Sequence, residues 1–136
     1  MNNKTKINLD ENFLQCGICL PIHIPTANAL KKSKIPLSPV YNPCSGKHAA
    51  MLALCQFFGW SVRDYFRPEH PVQQMILDDI AAVCQYPREK IYIGVDDCGV
   101  PVFGLPIQYM SNAYLRIANW EVLPVKYRKA AQKIFL

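Results

Sequence analysis

The sequence predicts an α/β (α+β) fold that is mainly helical and has few strands. Two observations support this class: apolar residues recur at helical spacing in several segments, and one short β-branched run reads clearly as a strand. A third observation indicates a folded domain. The chain has 136 residues, of which 51% are apolar and 18% charged, so it can bury a core and disorder is not expected.

The first half of the chain contains two predicted helices. Pro25 suits a first helical turn, and residues 26–34 have helix-forming composition with cations at the C-terminal end. Residues 35–43 contain three prolines and are predicted to be an extended connector. A helix over 47–58 is apolar around most of its circumference and stops at Gly59, so we expect it to be central to the core.

The second half alternates helices and strands. Ser61 followed by Asp64 resembles an N-cap pair that would open a short helix to Phe66. Pro71 then starts a longer helix with apolar residues on one face. The remaining expected elements are strands over 91–95 and 102–107 and helices over 109–120 and 125–136, the last of them basic and amphipathic.

Composition excludes some functional classes and disfavours others. No stretch approaches the length of about 18–20 apolar residues that a membrane helix needs. The first eleven residues show no secretory signal, so we expect a cytoplasmic protein with reduced cysteines. The net charge of +5 is concentrated partly in the last helix, where a solvated face is favoured over nucleic-acid binding because no aromatic stacking platform accompanies it.

Two segments could carry chemistry. Residues 42–48 enter the predicted central helix, whose N-terminal field favours a deprotonated Cys44 and a neutral, metal-binding Lys47. Residues 95–101 follow the first strand and offer Asp96, Asp97 and Cys98 on a Gly/Pro turn. From the residues alone, either Cys44/Lys47/Cys98 or Cys44/His48/Cys98 could form a cluster.

Other motifs are weaker. Ser45–Gly46–Lys47 lacks the upstream glycine of a phosphate loop, and its serine and lysine are too close for a Ser-x-x-Lys nucleophile. Cys16-x-x-Cys19 has no second pair for a four-thiolate zinc site, so structural thiols are favoured there. Cys55 and Cys84 lie on apolar helix faces and are expected in the core.

The motifs together resemble the L-asparaginase II family, bacterial enzymes distinct from the common threonine-dependent type. Their order and spacing agree with the family across residues 9–136. The motifs are Leu14–Gln15–Cys16–Gly17, Cys44–Ser45–Gly46–Lys47–His48–Ala49, Met51–Leu52–Ala53, Gly59–Trp60, His70–Pro71–Val72–Gln73 and Gly94–Val95–Asp96 with Cys98–Gly99–Val100–Pro101.

The resemblance implies an incomplete serine β-lactamase/glutaminase-like fold and hydrolysis of L-asparagine to L-aspartate and ammonia. It also implies a zinc ion held by Cys44, Lys47 and Cys98. By the same carry-over, His48 and Asp96 line the substrate pocket. Asp96 could pair with the substrate ammonium, and helix N–H groups could receive its carboxylate.

The family's nucleophilic serine, with a lysine one turn on, lies upstream of Leu14, and a further catalytic lysine lies downstream of residue 136. We therefore expect residues 12–136 to be the central part of such a domain, truncated at both ends and inactive alone. The polar residues 1–11 are expected to be a flexible lead. A complementing polypeptide or a homo-oligomer would then complete the pocket. The alternative is a non-catalytic zinc-binding or partner-binding remnant.

Three positions depart from the family: Cys19 replaces His, Pro43 replaces Asn and Asp97 replaces Gly.

Overall fold

The computed structural model of the chain describes residues 13–135, so the flexible lead expected over residues 1–11 lies outside the described part. The described residues confirm the mainly helical α+β class, with five helices and a two-stranded antiparallel sheet. The elements are α1 (Ile24–Ser33), α2 (Ser45–Phe58), α3 (Pro71–Cys84), β1 (Tyr92–Val95), β2 (Pro101–Gly104), α4 (Ile107–Ala118) and α5 (Val125–Phe135).

Proline and glycine set the helix ends where the sequence predicted them. Pro25 lies in the first turn of α1, and Lys34 ends that helix in the left-handed conformation. Gly59 ends α2 at a φ of 69°, and its N–H donates to the carbonyls of Cys55 and Gln56. The proline-rich connector contains one short 3₁₀ turn, Pro39–Tyr41, so it is not extended throughout.

The prediction of a short helix over residues 61–66 is wrong. Asp64 has a φ of 55°, a left-handed conformation that an α-helix cannot contain. Ser61 Oγ accepts the N–H of Arg63, two residues on, and so closes a local turn instead of capping a helix. Residues 61–70 form successive turns and bends, which lead into α3.

The chain divides into two compact units. The first comprises residues 13–73 of the described part and Val95–Pro101; the second comprises Gln74–Gly94 and residues 102–135. In the first unit α2 supplies much of the core, as its apolar pattern predicted, and Leu52 and Cys55 are completely buried. The other buried apolar residues of this unit are Cys16, Met51, Tyr65, Val72, Cys98 and Val100.

The second unit is organised around α4 and α5. Arg116 of α4 is buried and donates to the carbonyls of Ala82 and Val83 near the end of α3, at 3.2 and 2.5 Å. These contacts satisfy carbonyls that a helix end leaves unpaired. The basic residues of α5 are exposed, as a solvated face requires, and Lys126 pairs with Asp79 at 3.2 Å.

None of the helices within residues 13–135 combines the length and the apolar character needed to cross a bilayer.

Candidate metal and substrate site

Asn42 fixes the loop that leads into α2. Its Oδ1 accepts the N–H of Cys44 at 2.8 Å, while its Nδ2 donates to the carbonyl of Cys16 at 2.6 Å. Cys44 occupies the N-cap position, but its thiol makes no capping hydrogen bond. The sulfur is therefore available for contacts away from the helix amides.

A tight turn after β1 carries the second set of polar groups. The N–H of Gly99 donates to the carbonyl of Asp96 at 2.8 Å, and the N–H of Asp96 donates to the carbonyl of Val100 at 2.9 Å. The Asp96 carboxylate also accepts the N–H of Asp97 at 2.9 Å. Gly99 has a φ of 86°, which a residue with a Cβ adopts only with strain. The turn thereby places Asp96 and Cys98 side by side.

The two segments meet at the start of α2, within the first unit. The ligand atoms of Cys44, Asp96 and Cys98 all lie within 4.8 Å of one another. Lys47 Nζ lies 2.5 Å from Asp96 Oδ2, and the Cys98 thiol lies 3.5 Å from the same oxygen. Two thiols, a carboxylate and an amine therefore converge, although they come from segments about fifty residues apart.

The charges of this cluster differ from the sequence prediction. We expected the helix field to lower the pKa of Cys44, but a hydrogen bond with Cys98, followed by burial, raises it. Burial acts to lower the pKa of Lys47, yet the hydrogen bonds to Asp96 and Cys98 offset this and raise it. Both pKa shifts therefore run opposite to the predicted thiolate and neutral amine, and the contacts with Cys98 and Asp96 are among their causes.

His48 is fully buried on α2, in the turn after Cys44. Its Nδ1 lies 2.5 Å from the hydroxyl of Tyr65, and its Nε2 has no hydrogen-bond partner among the described residues. Burial and then the Lys47 charge lower the pKa of His48, so its imidazole is neutral near pH 7.

Sequence reasoning missed the network around Tyr65. The Tyr65 hydroxyl accepts the N–H of Gln15 at 3.0 Å, and Gln73 Nε2 donates to the Tyr65 carbonyl at 2.8 Å. Tyr65 lies in a turn, where no periodicity marks it as buried. Gln15 and Gln73 belong to motifs that resemble the family, but the spacing of residues in the sequence gives no indication that they contact Tyr65.

The other cysteines and His70 lie outside this cluster. Cys55 and Cys84 are buried, as predicted, and the Cys16 thiol donates to the carbonyl of Pro39 at 3.4 Å. His70 caps α3, since its Nδ1 accepts the N–H of Val72 at 3.2 Å. All six cysteines are free.

Comparison with known proteins identifies the family of the chain. The family model described as L-asparaginase II matches residues 4–136. The chain belongs to the L-asparaginase II family. The matched range includes both of the converging segments. A search of curated proteins gives no match.

Alanine at Gly99 is expected to lower the free energy of unfolding by about 1–2 kcal/mol, because the left-handed conformation crowds a Cβ against the backbone. Outside Gly99 and its two chain neighbours, no heavy atom lies within 4 Å of the added Cβ, so the strain comes from the local backbone alone. Gly46→Ala is the matched control: Gly46 lies in α2 with equal space, and alanine there should stabilise by up to about 1 kcal/mol. Urea unfolding measures both; a Gly99→Ala variant as stable as the parent would contradict the strained turn.

The Lys47–Asp96 pair predicts a stability change in acid. The hydrogen bond from Lys47, and then that from the Asp97 N–H, hold the pKa of Asp96 below 3.8. A carboxylate with a depressed pKa stabilises the fold above its unfolded pKa, and this contribution disappears as pH falls through the folded pKa. In chelator, the parent should exceed Asp96→Asn in stability at neutral pH, and the difference should close below pH 3.8. A difference that stays constant through this acid range would show that the pair does not stabilise the fold.

Proposed function

We propose that this chain carries the metal centre and part of the substrate pocket of an L-asparagine amidohydrolase, which releases L-aspartate and ammonia. Membership of the L-asparaginase II family establishes asparaginase-like function at the family level. The observation that carries the proposal for this chain is the convergence of Cys44, Lys47, Asp96 and Cys98 at the start of α2.

The donor set fits a zinc ion. Cysteine sulfur, together with nitrogen or oxygen donors, is the usual composition of tetrahedral zinc sites. In the proposed site Cys44, Lys47 and Cys98 hold the metal, and the carboxylate of Asp96 lies among the same atoms. Zinc bound there supplies Lewis-acid polarisation of a substrate carbonyl oxygen.

The substrate groups have candidate partners beside the metal ligands. We assign Asp96 to the ammonium of L-asparagine and His48 to the substrate pocket, and the first-turn amides of α2 to the carboxylate. Lys47 and Asp96 pair with each other in the structure, so both proposed roles require that ion pair to separate. A second cation, the substrate ammonium, can then replace the lysine as the partner of Asp96.

The chain is proposed to bind L-asparagine without hydrolysing it on its own. The printed sequence contains no Ser-x-x-Lys, the arrangement that provides the family's nucleophile. A different polypeptide, outside these 136 residues, would have to supply it. The free state of all six cysteines supports a reducing, cytoplasmic location.

Zinc-loaded chain incubated with L-asparagine tests the proposal. Calorimetry should detect binding that is lost in Asp96→Asn but retained in the neighbouring control Asp97→Asn, and an ammonia assay should detect no turnover. Turnover comparable to an intact asparaginase would refute the claim of inactivity. Zinc retention without any binding of asparagine would instead favour the second candidate, a non-catalytic zinc-binding remnant.

A further inference from the structure

We propose that Tyr65 is a positioning residue: its hydroxyl selects the tautomer of His48 in which Nε2 carries the proton and can donate it to a substrate oxygen. The role assigned to Nε2 rests on the proposed function. The selection of the tautomer stands on the contacts of Tyr65 and His48 alone.

The hydrogen bonds around Tyr65 favour its hydroxyl as the donor and His48 Nδ1 as the acceptor. The Tyr65 oxygen already accepts the N–H of Gln15 at 3.0 Å, and His48 Nδ1 lies 2.5 Å away. If the hydroxyl donates to Nδ1, both contacts of Tyr65 are satisfied and only Nε2–H of His48 lacks a partner. If Nδ1–H donates instead, the Tyr65 proton and the bare Nε2 are both left without partners among the described residues.

The two hydrogen-bond arrangements differ in the number of buried polar groups that they leave unpaired. Leaving a buried donor or acceptor unpaired is unfavourable, and Tyr65 and His48 are both completely buried. The first arrangement leaves one such group, whereas the second leaves two. Burial also raises the pKa of Tyr65, so its hydroxyl keeps the proton that it donates.

The ring of His48 is held in orientation as well as in protonation. Tyr65 meets it edge-on, with ring centroids 5.5 Å apart and an interplanar angle of 84°. Tyr65 is itself anchored by Gln73, whose Nε2 donates to the Tyr65 carbonyl at 2.8 Å. The unpaired Nε2–H belongs to a side chain one residue after Lys47, and it is a donor suited to a carboxylate or amide oxygen of an amino-acid substrate.

Nitrogen NMR of the full chain with ¹⁵N-labelled histidine tests the inference at alkaline pH, where imidazoles are neutral. His48→Gln assigns the His48 signals among the three histidines. Protonated and bare ring nitrogens resonate far apart, so the spectrum gives the tautomer directly. Tyr65→Phe keeps the ring and removes the hydroxyl, and Tyr114→Phe is the control, since Tyr114 is 76% exposed.

In the parent chain we expect a bare Nδ1 and a protonated Nε2. The Nδ1 signal should shift in Tyr65→Phe and stay unchanged in Tyr114→Phe. A protonated Nδ1 in the parent would overturn the inference even if Tyr65→Phe failed to fold, and so would an Nδ1 signal unmoved in a folded Tyr65→Phe. Adding L-asparagine to the zinc-loaded chain should then shift the Nε2–H signal. A correct tautomer with no response to asparagine supports the positioning role but overturns the substrate role proposed for His48.

Discussion

Serine in place of Cys98 is expected to weaken zinc binding by at least about 100-fold. Loss of groups that merely orient metal ligands costs 10–100-fold in affinity, so loss of a sulfur ligand should cost more. Cys98 lies on the turn fixed by Gly99, and its sulfur lies within 4.8 Å of the ligand atoms of Cys44 and Asp96, so its removal takes away one of the two thiols of the cluster. Competition with a chromophoric chelator measures the dissociation constant.

Cys84→Ser is the control for that experiment. Cys84 is also a buried thiol, but it lies at the end of α3 in the second unit and is not part of the cluster. Its substitution should leave zinc affinity unchanged while lowering stability. Equal zinc affinity in Cys98→Ser and the parent would show that Cys98 is not a ligand.

Alanine in place of Leu52 is expected to lower the free energy of unfolding by about 2–5 kcal/mol. Leu52 is completely buried on the helix that presents Lys47 and His48. Truncation removes buried apolar surface and leaves a cavity that the surrounding core fills only in part. Urea unfolding monitored by circular dichroism measures the change.

Phe57→Ala on the same helix is the matched control. Phe57 is the larger side chain, but it is 79% exposed, and its ring contacts that of Phe58 edge-on. Its truncation should therefore cost less than about 1 kcal/mol. If the two variants lost equal stability, the placement of α2 with Leu52 towards the core would be wrong.

Local signals in the sequence predicted all five helices and both strands of the described residues. Pro25 and Gly59 act on their own backbone, so their effects on helix ends can be predicted without the tertiary structure. The prediction of a helix over 61–66 was wrong because a local capping pattern does not determine the backbone conformation that follows it. The pair Ser61 and Asp64 resembles a cap, but Asp64 adopts a left-handed conformation, which nothing in the local pattern indicates.

The candidate site was predicted only in part, because its contacts join residues that are far apart in the sequence. The residues alone indicated Cys44 and Cys98 and left Lys47 and His48 as alternatives, and family resemblance assigned the roles. The structure brings Lys47 to Asp96 and Cys98, whereas His48 turns to Tyr65. The direction of the Cys44 pKa shift was also out of reach, because it depends on a thiol 54 residues away in the sequence.

Zinc K-edge X-ray absorption of the zinc-loaded chain tests the central claim most directly. The account predicts about two Zn–S distances near 2.3 Å, with nitrogen or oxygen ligands at about 2.0–2.2 Å completing the shell. In Cys98→Ser the sulfur contribution should fall to one. A shell of nitrogen and oxygen alone would contradict a metal centre built from Cys44 and Cys98 at the start of α2.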